Sequence, residues 1–159
     1  MEPYILIIGF GSTLRGDDAA GPAVAARLAE RFVARSGVSV CVEASLTPEL
    51  AALASAADRV VFIDCAADLA AGEVRQVEVA PTDDTSPAMV HFLDPAALML
   101  WTRRLYGETP AATQFAIGGG SFEASDDLTP IVANACAFVV ARVEALVDQW
   151  QNTQEVSRA

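Results

Sequence analysis

By type and position in the sequence, four side chains are candidates for binding a divalent metal ion. Asp17 and Asp18 stand side by side after an apolar run and a Gly-Phe-Gly turn, and Asp64 ends a second aliphatic run. His91 is the only histidine, so any chemistry that needs an imidazole must use it. Two carboxylates and a neutral imidazole offset the charge of a divalent ion and leave coordination positions open, as a catalytic or substrate-docking site requires.

Each of these residues also has a simpler explanation. Asp17 or Asp18 at the start of a helix can act as an N-cap, a role worth about 0.5–2 kcal/mol. Asp64 can be a turn residue at the end of a strand, and a lone histidine beside a loop is usually a surface residue. Residue types and spacing alone therefore leave both the metal site and the structural roles open.

The glycine turn also has to be considered as a phosphate-binding loop. Gly9 and Gly11 fit the beginning of the dinucleotide fingerprint, but Leu14 stands where the third glycine is required. Near the end of the predicted second strand, Glu43 is the only acidic residue that could bind a ribose. A Walker loop is excluded because the chain has no lysine. Nucleotide binding is therefore the weaker hypothesis.

The sequence offers no convincing covalent nucleophile. Ser121 follows three glycines, but Glu123 occupies the position where a nucleophile elbow requires glycine. Cys65 adjoins Asp64, whose negative charge raises the pKa of a thiol and so disfavours a reactive thiolate. Without lysine, Schiff-base and Ser–Lys mechanisms are also excluded. A hydrolytic reaction would have to activate water directly.

Composition narrows the class of protein further. The 159 residues include ten arginines and 21 acidic residues, which gives a formal net charge of −11. Such a surface repels phosphate backbones, which argues against nucleic acid and favours basic partners. No apolar run approaches the roughly 18 residues of a membrane span, and no basic segment precedes the first apolar run. The three cysteines are far apart, so we expect a cytoplasmic protein without a disulfide framework.

Hydrophobic periodicity predicts alternating strands and helices. The predicted strands are Tyr4–Gly9, Val38–Val42, Arg59–Asp64, the edge strand Glu73–Val79, and Gln114–Gly118. The predicted helices run from Ala20 to a stop at Gly37, from Thr47-Pro48 to Ala57, from Asp94-Pro95 to a stop at Gly107, and from Thr129-Pro130 to Trp150. This order predicts one α/β domain, residues 1–150, followed by a polar tail, residues 151–159. The predicted architecture is a three-layer sandwich with a mainly parallel sheet.

Several motifs together resemble the hydrogenase maturation proteases, the endopeptidases that trim nickel–iron hydrogenase large subunits. The opening "GFGSTLRGDDAAGPAVAARL" is similar to the first motif of that family, and "DRVVFIDCA" to its second acidic strand. The segment "SPAMVHFLDPAALM" resembles its histidine segment, and "FAIGGGSFEASDDLTPIV" its closing strand, glycine turn and last helix start. The likeness covers nearly the whole chain in order.

The resemblance implies a twisted five-stranded sheet between helices and three metal-binding, catalytic positions. By motif these positions are Asp18, Asp64 and His91, and Asp17 then caps or orients the loop. The resemblance also implies that the metal is nickel carried by the substrate, although another divalent metal would fit. It implies that the substrate is the large-subunit precursor, from which a short C-terminal extension is removed, and we expect a monomer to suffice for this work.

The sequence also departs from the family pattern. Ser12 replaces the usual asparagine and Ala19 the usual glycine, but neither is an expected ligand. After the second strand, "EASLTPEL" replaces a glycine-rich element, so Thr47, Pro48 and Glu49 become candidates for substrate selection. "LTPEL" and "RRLYGETP" resemble the subgroup that serves bidirectional, NAD-linked hydrogenases.

Two mechanisms and two other functions stay open at this level. Either the metal polarises the scissile carbonyl and activates water, or it only docks the substrate while a free carboxylate such as Asp17 acts as base. The competing functions are a non-catalytic metal- or nucleotide-binding α/β module and a metal-dependent hydrolase of small esters or amides. Because His91 binds metal only when neutral, activity should fall below about pH 6.5.

Overall fold

The strands form one mostly parallel sheet, as the sequence predicts. The computed structural model describes residues 2–83 and 93–156, with side chains to residue 153. The sheet has the order β2-β1-β3-β5-β4, and only β4 is antiparallel to its neighbour. The strands are β1 Ile5–Phe10, β2 Val38–Glu43, β3 Arg59–Ala66, β4 Val74–Val79 and β5 Ala111–Gly118.

Helices cover both faces of the sheet, which confirms the three-layer architecture. They are α1 Ala20–Arg31, α2 Leu50–Ser55, α3 Pro95–Tyr106 and α4 Pro130–Val156. Side chains alternate along each strand. In β1, Ile5 and Ile7 pack in the cluster with α1 and α4, whereas Leu6 and Ile8 pack in the cluster with α2 and α3.

The start and end of α3 confirm the predicted signals. The Asp94 side chain accepts a hydrogen bond from the Ala97 amide at 2.8 Å, and Pro95 occupies the first turn. Gly107 ends the helix in the left-handed conformation with φ +73°. These two local signals hold because each depends only on neighbours in sequence.

Two other helix boundaries were predicted wrongly. The first helix ends at Arg31, and Gly37, with φ +75°, instead shapes the turn that leads into β2. The second helix begins at Leu50, since Thr47 and Pro48 form a preceding turn in which their carbonyls accept from the Leu50 and Ala51 amides. After α1 the Arg35 amide donates to the Phe32 carbonyl at 2.9 Å, so a turn replaces the helical hydrogen-bond pattern before Gly37 is reached.

The last helix continues past the boundary expected at residue 150. Gln151 is only 4% exposed, accepts from Arg35 Nε at 2.7 Å and donates to the Ser36 carbonyl at 3.1 Å. By length and composition, Pro130–Thr153 would also be able to cross a membrane, contrary to the expectation from apolar runs. Val139 and Val143 of this helix are nevertheless fully buried against the sheet, so we interpret α4 as a core helix.

The strand order places the carboxyl ends of β1 and β3 beside each other at a switch point. The chain leaves β1 for β2 on one side and later enters β3 on the other side of β1. Open α/β sheets bind ligands in the crevice at such a point. The Gly16–Ala19 turn follows β1, and Asp64 lies near the end of β3, so both acidic segments border this crevice.

Candidate functional site

Asp17 is a buried structural carboxylate that joins two distant parts of the chain. It is fully buried, and its Oδ2 accepts hydrogen bonds from the Gly120 and Ser121 amides at 2.8 and 2.9 Å. The Thr129 amide donates to Oδ1 at 2.8 Å, and the Thr129 hydroxyl donates to Oδ2 at 2.9 Å. Asp17 thus ties the turn after β1 to the glycine turn after β5 and to the start of α4.

Electrostatics keep Asp17 ionised. Burial by itself raises the pKa of a carboxyl group, but the hydrogen bonds from Thr129, Gly120 and Ser121 outweigh burial and hold the pKa of Asp17 below its ordinary value. The partial positive charge at the amino end of α4 favours the same charged form. Asp17 therefore has neither a free oxygen nor solvent access for proton transfer.

Neither aspartate caps the helix that follows it. The residue before α1 is Ala19, and no side chain caps that end; the short turn Gly16–Ala19 also lacks a side-chain cap. The capping explanation is therefore wrong for α1. Asp17 instead caps a helix more than 100 residues away, a role that the local sequence pattern could not indicate.

Asp18 stands in a different environment from its neighbour. It is half-buried, and its Oδ2 accepts a hydrogen bond from the Ser12 amide at 2.8 Å. That bond holds the glycine turn after β1 against the Gly16–Ala19 turn. Among the described residues no other hydrogen bond to its carboxylate is found, so Asp18 retains oxygen lone pairs that could bind a cation.

Asp64 lies on the α3 side of the sheet, next to Gln114 of the neighbouring strand. Gln114 Nε2 donates to Asp64 Oδ1 at 2.9 Å, and both side chains are half-buried. Among the residues that the structure covers, this is the single hydrogen bond to the Asp64 carboxylate. The second oxygen is therefore available, as it is for Asp18.

Burial and nearby negative charge make ionised Asp64 costly. Burial raises its pKa to about 6, and Asp18 and Asp68 add to that increase, whereas Gln114 and Arg75 oppose it. Asp18 contributes to the increase because the two negative carboxylates repel each other across the crevice. Two half-buried carboxylates with few partners form a local excess of negative charge, which a divalent cation would neutralise.

His91, the third predicted ligand, lies outside the described residues. The described parts of the chain, 2–83 and 93–156, contain no group of three or more acidic, cysteine or histidine side chains placed to hold a metal. Asp18 and Asp64 thus supply two candidate ligands. The three-ligand site that the sequence predicts stays a prediction with respect to His91.

A cleft of about 380 Å³ opens beside Asp64. Its walls come from Phe10 at the end of β1, Gln114 of β5, the end of edge strand β4, and the first residues of α3. Asp64, Glu78 and Asp94 all line it, and none of the described lining residues is basic. The cleft can accept a peptide-sized group beside the candidate metal ligands and disfavours anionic ligands.

The amide groups of the glycine turn do not support nucleotide binding. The Gly11 amide donates to the Glu43 carbonyl at 3.1 Å, and the Ser12 amide to Asp18 at 2.8 Å. The Leu14 amide donates to the Ser12 hydroxyl at 3.3 Å. A phosphate-binding turn needs free amides directed at the ligand, and these three are occupied.

Covalent catalysis by the nearby thiol or hydroxyl also lacks support. Burial, together with the charges of Asp18, Asp17 and Asp64, raises the pKa of Cys65 to about 12, so its thiol stays protonated. The Ser121 hydroxyl accepts a weak hydrogen bond from the Glu123 amide at 3.4 Å. No described basic group contacts it, so neither side chain has the activating partner that a covalent nucleophile needs.

The residues predicted to select the substrate lie on the surface before α2. Thr47 and Glu49 are exposed, and Pro48 is half-buried. None of these three lines the cleft beside Asp64. Their position neither assigns nor removes a role in substrate selection, which stays a prediction.

Sequence reasoning missed Gln114 and Thr129 as parts of the site. Gln114 interrupts the apolar run of β5, and such a polar residue in an otherwise buried strand is a usable signal. Thr129 was read as the start of a helix, without its hydrogen bonds to Asp17. The Gln114 contact depends on β5 lying next to β3, and the Thr129 contacts depend on the start of the last helix meeting the turn after β1.

Comparison with solved structures connects this geometry to a known fold. HybD, a hydrogenase maturating endopeptidase from E. coli, superposes with a TM-score of 0.72 at 22% identity, over 91% of this chain and 92% of its own. HycI, a [NiFe] hydrogenase maturation protease from Thermococcus kodakarensis KOD1, gives 0.71 at 22%, over 92% and 94%. A hydrogenase 2 maturation peptidase from a Thaumarchaeota archaeon gives 0.66 at 22%, over 89% and 97%.

The similarity lies in the fold more than in the sequence. No protein-family model matches the chain, and no curated protein resembles it closely enough to be recognised by sequence. The chain nevertheless has the fold of the hydrogenase maturation proteases along nearly its whole length. The resemblance inferred from the ordered motifs is thereby confirmed at the level of fold.

Proposed function

We propose that this protein is an endopeptidase that removes the C-terminal extension from a nickel-loaded precursor of a nickel–iron hydrogenase large subunit. The observation that carries the proposal is the pair of half-buried carboxylates, Asp18 and Asp64, at the switch point of the sheet. Each has one hydrogen-bond donor among the described residues, and they repel one another without a cation. The fold shared with maturation proteases supports the same function.

In this proposal the nickel is part of the substrate, and Asp18, Asp64 and His91 bind it. Binding brings the scissile bond into the cleft beside Asp64, where the ion can polarise the peptide carbonyl. Gln114 holds one oxygen of Asp64, and the other oxygen has no donor among the described residues. Hydrogen bonds of this kind orient metal ligands and raise metal affinity.

The structure argues against Asp17 as general base in the docking-only mechanism. A general base needs a lone pair within reach of water and a pKa near the working pH. Asp17 is fully buried, its oxygens are occupied, and its pKa is lowered. We therefore favour the mechanism in which water is activated at the substrate metal, with Asp17 fixing the turn that presents Asp18.

Further parts of the proposal concern the cellular setting. We infer a cytoplasmic enzyme that acts as a monomer, with a precursor of the bidirectional, NAD-linked class as its substrate. The net charge of −11 favours a precursor that presents a basic surface. The segment Thr47-Pro48-Glu49 is then a candidate for distinguishing among precursors.

The direct test is incubation with a nickel-loaded large-subunit precursor. The expected result is a small loss of mass at the precursor's C-terminus by intact-protein mass spectrometry. The same precursor without nickel should stay uncut. Asp127→Ala, which changes an exposed aspartate outside the site, should cut normally and serves as the matched control.

The outcomes separate the competing functions. A protein that binds nickel or a nucleotide but leaves every precursor intact would be a binding module. Hydrolysis of small esters or amides without trimming of precursor would indicate a small-molecule hydrolase. Trimming of the nickel-free precursor would contradict docking on the metal.

A further inference from the structure

A second surface beside Asp18 is apolar and exposed. Two adjoining cavities of about 380 and 440 Å³ share Thr13, Leu14, Pro22 and Val42 among their lining residues. We call this surface the Leu14 groove. Its remaining lining residues are Gly11, Ser12, Ala19, Ala23, Ala26, Glu43, Ala44 and Asp126.

Leu14 and Val42 are unusually exposed for their size. Leu14 is 73% exposed and Val42 is 49% exposed, and both line a cavity with small side chains of α1 such as Ala23. Because the α1 side chains that line this cavity are small, an open groove remains between them and the two large apolar side chains. Contiguous exposed apolar surface of this kind marks interaction sites more often than single exposed side chains do.

The groove and the candidate metal site share the turn after β1. The turn that contributes Gly11, Ser12 and Leu14 also supplies the amide that holds Asp18, through the 2.8 Å hydrogen bond from Ser12. Gly11 adopts φ +148°, and a Cβ there would collide with the Asp18 carbonyl, so turn and carboxylate segment are packed together. A chain bound in the groove would therefore lie against the turn that holds Asp18.

Charge around the groove restricts what can occupy it. Glu43 and Asp126 are its only charged lining residues among those described, and both are acidic. An anionic or nucleic-acid ligand is disfavoured there. An apolar polypeptide segment with a neighbouring basic residue fits both the walls and the charges.

We propose that the Leu14 groove binds an apolar segment of the precursor polypeptide adjoining the cleavage point, and so contributes to substrate affinity. This inference rests on the proposed function. The groove is lined by the turn after β1, the end of β2 and the start of α1, whereas the acid-lined cleft lies beside Asp64. Substrate flanking the metal on two sides would thus contact two chemically different surfaces.

Leu14→Ser and Val42→Thr test the groove. Loss of a buried contact by one large apolar side chain should raise the KM for nickel-loaded precursor by about 10- to 100-fold, with kcat within about twofold. Affinity for the nickel-free precursor, measured by calorimetry, should fall by the same factor. Leu14→Met should restore nearly normal values, and Val33→Ser, at an exposed apolar site outside the groove, is the control.

The outcomes distinguish this inference from the proposed function. If wild type trims the precursor and Leu14→Ser behaves like Val33→Ser in both assays, the groove proposal is overturned and the peptidase stands. If nothing is trimmed but binding depends on Leu14, the groove stands and the peptidase is overturned. If sedimentation shows a dimer that Leu14→Ser dissociates, the occupant is a second copy of the chain and the proposal is wrong.

Discussion

Asp17 is fully buried and Asp64 is half-buried near the same crevice, yet the groups around them have opposite effects on their pKa values. Asp17 receives four hydrogen bonds that lower its pKa, whereas Asp64 receives one among the described residues and has its pKa raised to about 6. A carboxylate satisfied by the protein stabilises the fold. A carboxylate with few hydrogen-bond donors destabilises the fold and remains available to bind a cation. The contrast therefore indicates a structural role for Asp17 and makes Asp64 the candidate for a functional role.

The largest effect on precursor trimming should come from removing the charge of Asp18 or Asp64, each of which accepts one hydrogen bond among the described residues. Asp64→Asn and Asp18→Asn should each lower precursor trimming by about 10³-fold or more, because the substrate metal loses a charged ligand. Trimming is measured by mass spectrometry, and circular dichroism should show an intact fold. Normal trimming by either variant would remove that residue from the mechanism.

Asp17→Ala should instead damage the fold. Removing a buried charged acceptor leaves three backbone amides and one hydroxyl without their partner, at a cost of about 3–5 kcal/mol in the free energy of unfolding. Urea denaturation measures this cost. Exposed Asp127→Ala is the matched control and should cost less than about 0.5 kcal/mol.

A different result for Asp17→Ala would contradict the structural role that we assign to Asp17. If Asp17→Ala kept its stability and lost only activity, the carboxylate would be a reacting group and the contrast would fail. The lowered pKa of Asp17 also predicts that the stability of the fold depends on pH. Because its pKa is lowered in the fold, its contribution to stability is present above the unfolded value of about 3.9 and disappears as pH falls through the folded value.

Gln114→Met should weaken metal binding without unfolding the chain. It keeps the size of the side chain but removes the donor to Asp64, so affinity for Ni²⁺ measured by calorimetry should fall by about 10- to 100-fold. Gln76→Met is a suitable control, because Gln76 is exposed on β4 and faces the opposite side of the sheet. Equal nickel affinity in Gln114→Met and wild type would contradict a role for Gln114 in orienting Asp64.

The smallest effect is a gain in stability. With a folded pKa of about 6, ionised Asp64 is destabilising above that pH, so metal-free Asp64→Asn should exceed wild type by about 1–2 kcal/mol at pH 7–8. The difference should shrink as pH falls through 6 and vanish below about 4, where Asp64 is protonated in both states. Equal stabilities at pH 8 would show that Asp64 has partners beyond Gln114.

Local signals and long-range contacts differ in how well they could be predicted. The Asp94 cap, the Gly107 stop and the edge position of β4 followed from neighbouring residues and alternation, and they are confirmed. The predicted end of the first helix was wrong because the chain already forms a turn between Phe32 and Arg35, before it reaches Gly37. The Asp17 contacts were not predictable in detail, since they join residues more than 100 positions apart.

By itself, the sequence determined the class of fold, the mostly parallel sheet and the order of the acidic motifs, because these depend on periodicity and on neighbours along the chain. It also set the negative charge that disfavours nucleic acid. Only the tertiary structure decided that, of two adjacent aspartates, Asp17 turns inward to the glycine turn and α4 while Asp18 stays at the crevice. The physical reason is that a carboxylate's role depends on the donors around it, and strand order brings those donors from distant positions.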